Sequence, residues 1–131
     1  MKTLVLGDIH GRLMWSDILA KEQPNKIIFL GDYVSSHDNI SGEQQLVNLE
    51  DILNLKESRP NDVILLRGNH DLQHMGYYWA SCSGLNRTVL NNFPKERFEK
   101  LSQWIYIQDN ILFSHAGISQ AWLDNCHVKV E

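Results

Sequence analysis

Cysteine is nearly absent from this sequence, which holds only Cys82 and Cys126. Two thiols so far apart, with no paired spacing, exclude a disulfide framework and a zinc knuckle; both are expected to be free in a reducing compartment, the cytoplasm. No apolar run is long enough to cross a bilayer, and the N-terminal stretch meets Gly7 and Asp8 before a secretory hydrophobic region can form. Basic charge is in deficit, with 12 Lys and Arg against 16 Asp and Glu, a net charge of -4. Stable nucleic-acid binding is therefore not expected, and any phosphate recognition must come from a local site. Repeats, low-complexity tracts and linkers are missing too, so 131 residues suggest one domain over residues 1–131.

What is present is a rhythm. Thr3 to Leu6, Lys26 to Leu30 and Val63 to Leu66 are runs rich in Val, Ile and Leu without strict alternation, as strands buried on both faces should be. Between them, Leu13 to Glu22 and Gly42 to Lys56 carry apolar residues at helical spacing, including Leu46, Leu49, Ile52 and Leu53. Ser41 is the expected N-cap of the second helix, and Pro24 and Pro60 stop the helices before the next strands. This β-α-β-α-β order predicts an α/β fold with parallel strands joined by right-handed crossovers. Met75 to Leu90 lacks periodicity and is expected as a cap over the site. A helix is expected from Pro94 to about Ser102, then antiparallel strands Trp104 to Gln108 and Ile111 to His115 turning at Asp109-Asn110, then a short helix Gln120 to Asn125 opened by Ser119.

The chemistry lies just after the strands. Asp8 and His10 follow the first run, Asp32 the second, Asn69 and His70 the third, and His115 the hairpin. Loops at the carboxyl ends of parallel strands share one sheet edge, so residues dozens of positions apart meet in one crevice. Carboxylate oxygens mixed with imidazole nitrogens suit Mn, Fe or Zn rather than calcium. Asp32 is the natural carboxylate to bridge two ions about 3.5–4 Å apart. Gly7, Gly11, Gly31 and Gly68 flank these residues and permit tight turns and close backbone approach. Such an ion pair clamps phosphate oxygens and activates water for in-line attack, and His70 is placed to protonate the leaving oxygen.

Gly7-Asp8-Ile9-His10-Gly11, Gly31-Asp32-Tyr33-Val34, Gly68-Asn69-His70-Asp71 and Ser114-His115-Ala116-Gly117-Ile118 occur in that order. Together they resemble the four signatures of the calcineurin-like metallophosphoesterases, in the branch of serine/threonine protein phosphatases and diadenosine tetraphosphatases. The resemblance implies a β-sandwich flanked by helices, with a mostly parallel first sheet. It implies that Asp8, His10 and Asp32 hold one divalent ion, that Asp32, Asn69 and His115 hold a second, and that His70 is the general acid. Manganese is the expected metal, with Fe, Zn, Ni and Mg as alternatives. The implied reaction is hydrolysis of a phosphate monoester, on a phosphoprotein or a small phosphorylated molecule, by a metal-bound hydroxide. Alternatives are hydrolysis of a dinucleoside polyphosphate or phosphodiester, or a truncated, catalytically impaired binding module.

Two departures from the family pattern stand out. Where Asp-Arg-Gly continues the second signature, this chain reads Ser35-Ser36-His37. The phosphate-clamping arginine and the aspartate that orients the acid are thus missing, leaving Asp71, or else His37, to take up the second part. The family's final metal-binding histidine also has no counterpart: His127 is the only later histidine and lacks its setting. The domain is therefore expected to be C-terminally incomplete, with a sheet edge open to self-association. Apart from that role, His37 and His74 are expected as exposed loop residues, Tyr77, Tyr78 and Trp79 as a packed cap, Trp15, Trp104 and Trp122 as core, and Glu50-Asp51 and Lys95-Glu96 as solvated helix faces.

Overall fold

The computed structural model describes residues 1–125, the side chain of Tyr78 excepted; Cys126 and His127 lie outside the described residues. Strands β1 (Thr3–Leu6), β2 (Lys26–Phe29) and β3 (Val63–Leu66) pair in parallel in chain order, joined by helices α1 (Met14–Glu22) and α2 (Gly42–Ser58). Each helix end has a local cause. At α1 the chain leaves through Gln23 at φ 45, one residue before Pro24. At α2 the expected Ser41 cap is a full capping box: its side chain accepts from Gln44 N–H while the Gln44 side chain accepts from Ser41 N–H. α2 runs two residues beyond Lys56, whose ammonium donates to the carbonyls of Pro60 and Val63, both at 2.7 Å.

Alternation along the strands builds two layers. Ile27, Phe29, Val63 and Leu65 point into the helical side with Trp15, Tyr33, Leu49, Ile52, Leu53, Val89, Phe93 and Phe98. Ile28, Ile64 and Leu66 face the other way, against Leu30, Tyr106 and Phe113. Tyr106 and Phe113 come from an antiparallel hairpin, β5 (Ile105–Gln108) and β6 (Ile111–Ser114). Its two-residue turn has Asp109 at φ 51 and Asn110 at φ 63, the left-handed pair that matches strand twist in such hairpins. The small sheet lies over the middle of the large one, while Val5 on β1 is left 42% exposed.

After β3 come α3 (Asn69–His74), a single 3-10 turn at Tyr78–Ala80, α4 (Arg87–Asn92) and α5 (Lys95–Leu101). α5 stops one residue before the expected Ser102, because Ser102–Gln103 forms a fourth parallel strand, β4, beside β3. Arg67 holds it there, donating its backbone N–H to Gln103 O and its guanidinium to the Ser102 hydroxyl, Ser102 O and Glu99 O. The last described element is α6 (Gln120–Asn125), with Ser119 Oγ accepting from Trp122 N–H. No helix among the described residues is long and apolar enough to cross a membrane.

The aromatic residues divide. Trp15 is core, its indole N–H donating to Asn48 Oδ1 at 2.8 Å. Trp104 and Trp122 are not: they are 48% and 39% exposed. Trp104 lies between β4 and β5, where Arg67 covers its ring 4.9 Å from the centroid, and every described residue of α6 is exposed. Trp79 is 72% exposed, with the Tyr77 ring 5.5 Å away, so it does not pack as a cap. Glu50, Asp51, Lys95 and Glu96 are exposed as expected.

Phe98 anchors the helical layer. It is fully buried and meets Tyr33 and Phe93 edge to face, with centroids 5.6 and 5.2 Å away. Phe98→Ala is expected to cost about 3–5 kcal/mol through lost burial and the cavity left behind, read as a lower urea midpoint at unchanged m-value.

Candidate metal centre

Because β1, β2 and β3 are parallel, their three following loops leave the same edge, and main-chain bonds tie them together. His10 N–H donates to Asp32 O, and Gly11 N–H to Tyr33 O, each at 2.8 Å. The turns are tight enough to put Asp8, His10 and Asp32 at φ 46, 45 and 58. Left-handed backbone is uncommon outside glycine, and three such residues together mark a place where surrounding structure overrides local preference. The second and third loops touch through glycines. A Cβ on Gly31 would lie 2.5 Å from Gly68 N, and one on Gly68 would lie 2.1 Å from Asp32 Oδ1.

Asp32, 4% exposed, is the hub. Its Oδ1 accepts from His70 N–H at 3.0 Å, which fixes the carboxylate plane. Its Oδ2 faces His10 Nε2 at 3.6 Å and His115 Nε2 at 3.4 Å. Both rings are held from behind: His10 Nδ1 is 2.7 Å from Val34 O, and His115 Nδ1 is 2.9 Å from Leu30 O. A carbonyl only accepts, so each Nδ1 carries the proton, and each Nε2 is turned toward Asp32 with its lone pair available to a cation. Asn69 Oδ1 adds a further oxygen 3.0 Å from His115 Nε2.

These donors suit a divalent cation. Two ligands bound about 2.1 Å from one ion stand roughly 3.0–3.5 Å apart, close to the spacings around Oδ2. Asp8, Asp32 and His115 offer ligand atoms all within 4.8 Å of one another, as do His10, Asp32 and His70. Asp32 thus belongs to both sets. Their composition differs from the division implied by the resemblance: His70 joins His10, and Asp8 sits with His115, because these four side chains ring the one Asp32 carboxylate.

His70 lies edge-on to His10, centroids 5.0 Å apart, and its Nδ1 is buried without a hydrogen-bond partner among the described residues. Burial, opposed by the nearby Asp32 charge, lowers its pKa. Asp71 is fully buried, and its carboxylate accepts backbone N–H groups of Asp32, Tyr33 and Gly68 at 2.8, 2.9 and 2.8 Å. No hydrogen bond joins it to the His70 ring among the described residues. Burial pushes the Asp71 carboxyl up to about 7 against the pull of those N–H groups.

The departing segment is held in its own way. Ser35 is buried at φ 66, and Gln45 Oε1 accepts its N–H and that of Ser36. His37 is exposed as expected, its Nε2 3.2 Å from Ser83 Oγ. Two arginines lie near the site, but both have partners: Arg12 pairs with Asp38 at 2.8 Å, and Arg67 with Ser102 and Glu99. His74 is a correction to the sequence reading. It is fully buried, its Nδ1 donating to His70 O at 2.9 Å and standing 3.5 Å from Ser35 Oγ, and its ring stacking on Phe93. Desolvation lowers its pKa. The signal was the four-residue step from His70, which in a helix places a side chain under the preceding carbonyl.

The calcineurin-like phosphoesterase family profile matches residues 1–130. A probable serine/threonine-protein phosphatase of Encephalitozoon cuniculi (strain GB-M1) is 28% identical over 130 residues, covering 92% of this chain and 27% of its own length. A protein serine/threonine phosphatase from Saccharomyces cerevisiae, described as similar to human phosphatase PP5, superposes with a TM-score of 0.58 at 23% identity, over 97% of this chain and 43% of its own. A metallophosphoesterase from Sphaerobacter thermophilus gives 0.51 at 18% identity, over 86% and 45%. The two structures establish the shared α/β fold. The chain spans less than half the length of each of these relatives.

Gly68→Ala tests the contact between the loops. The added methyl collides with the Asp32 carboxylate and backbone, so Mn²⁺ affinity is expected to fall by about tenfold or more, measured by titration calorimetry with circular dichroism confirming the fold.

Proposed function

Because this chain belongs to the calcineurin-like phosphoesterase family, we propose that it holds a pair of divalent ions and hydrolyses phosphate monoesters, on a phosphoprotein or a small phosphorylated molecule. The observation that carries this reading is the pair of imidazoles, His10 and His115, each fixed at Nδ1 by a loop carbonyl and turned at Nε2 toward one oxygen of Asp32. Asp8, His10, Asp32, Asn69 and His115 would hold the ions, with Asp32 shared. Manganese fits this oxygen and nitrogen set, as do iron, zinc, nickel and magnesium. When bound, such a pair supplies Lewis acidity toward phosphoryl oxygens and the acidity that makes water a nucleophile at neutral pH.

The protein's part is orientation and proton transfer. The Val34 and Leu30 carbonyls set the ligand tautomers, and His70 N–H sets the carboxylate of Asp32. The His70 ring stands edge-on to His10 beside Asp32 and would give its proton to the leaving oxygen. A second reading, a domain that binds metal without turnover, draws on the His70 Nδ1, which has no partner among the described residues, and on Ser35-Ser36 standing in place of an aspartate and an arginine.

One experiment separates the two. Manganese-dependent hydrolysis of p-nitrophenyl phosphate is measured for the chain, Asp32→Ala and His70→Ala, with bound metal counted in the same samples. Asp32→Ala is expected to lose both metal and activity. His70→Ala is expected to keep its metal while kcat falls about 10²–10⁴-fold, the usual contribution of a general acid. Equal metal loss in both variants refutes that division of roles, and full metal without hydrolysis in the parent chain selects the second reading.

A further inference from the structure

Resting on the metal-centre reading above, we propose that Asp71 is a positioning residue: its buried carboxylate clasps the loop carrying Asp32 to the loop carrying Asn69 and His70, and thereby sets the affinity of the centre. Both of its oxygens are committed. Oδ1 accepts from Tyr33 N–H at 2.9 Å, and Oδ2 accepts from Asp32 N–H and Gly68 N–H, each at 2.8 Å. Two of these donors belong to the loop after β2 and the third to the loop after β3.

The consecutive N–H groups of Asp32 and Tyr33 converge on one anion at the place where Asp32 adopts φ 58. Successive amides turned to the same side form a concave donor site for an anion, and a carboxylate there holds the turn that creates it. The link is returned from the other side, because Asp32 Oδ1 accepts from His70 N–H, the residue before Asp71. The two loops thus bond reciprocally: Asp71 accepts from Asp32 N–H, and Asp32 accepts from His70 N–H. Asp71 fixes the backbone of Asp32, the His70 amide fixes its carboxylate plane, and Oδ2 is left facing His10 and His115.

The glycines make the arrangement intolerant of slack. Gly31 and Gly68 are in backbone contact, so the loops cannot draw closer, and the clasp stops them from parting. An asparagine at position 71 has one oxygen and an N–H₂ group facing three donors, so it must release at least one amide. The consequence reaches the metal ligands through Asp32 and leaves the sheet and its core untouched.

The test compares the parent chain with Asp71→Asn by Mn²⁺ titration calorimetry, at a temperature where circular dichroism shows both folded. Ile52→Val, a core truncation on α2, controls for lost stability. The expected result is a Kd about tenfold or more weaker for Asp71→Asn and unchanged for Ile52→Val. Unchanged affinity in Asp71→Asn overturns the clasp. Should that variant fail to fold, amide exchange in the metal-free parent chain decides: slow exchange at Asp32, Tyr33 and Gly68 is expected, and exchange at the rate of open loops overturns the proposal. A parent chain that takes up no Mn²⁺ sinks the metal-centre reading itself, a result distinct from equal affinity in parent and variant.

Discussion

Contact between two backbones, at Gly31 and Gly68, is the constraint on which the rest of the site depends. A side chain at either position would drive the loops apart, since a Cβ would fall 2.5 Å or less from the opposing residue. Only with those loops touching can Asp71 reach the amides of Asp32 and Tyr33, and can Asp32 reach the amide of His70. Parallel pairing of β2 and β3 brings the loops to the same edge; the missing side chains let them close.

Around that contact the molecule uses main-chain atoms to aim side chains. The Leu30 and Val34 carbonyls select the tautomers of His115 and His10, and the His70 amide orients Asp32. Backbone groups held by secondary structure are poor at moving, so the donors are arranged in advance. The opposing term is local strain at Asp8, His10 and Asp32, of order 1–3 kcal/mol for each such residue. The buried helical layer around Phe98, Tyr33 and Phe29 supplies apolar burial that offsets it.

Much of this was readable in advance, for physical reasons. Strands covered on both faces need unbroken apolar runs, so β2 and β3 were visible to within a residue, and β1 was equally legible although Val5 leaves one face open. Asn and Asp tolerate left-handed backbone, so Asp109-Asn110 announced the hairpin. That Asp8, His10, Asp32, Asn69, His70 and His115 would cluster was legible because each follows a strand at the same sheet edge or the hairpin. Strand β4 was hidden because Ser102–Gln103 has no apolar signature and owes its pairing to Arg67. Trp104 and Trp122 misled because size and hydrophobicity do not say which side of a layer a residue faces. His74 and Asp71 were placed by what surrounds them: a buried polar group goes where donors and acceptors await it, and sequence spacing does not list those partners.

His115 rides on the small sheet, whereas Asp8, His10, Asp32 and Asn69 ride on the large one. The two sheets meet mainly through Ile28, Ile64 and Leu66 against Leu30, Tyr106 and Phe113. An ion shared between His115 and Asp32 would therefore act as a rivet between layers, drawing part of its binding free energy from docking the hairpin. By reciprocity, whatever loosens the hairpin weakens the ion by the same factor. Cohesion between the sheets and occupancy of the centre become two readings of one equilibrium.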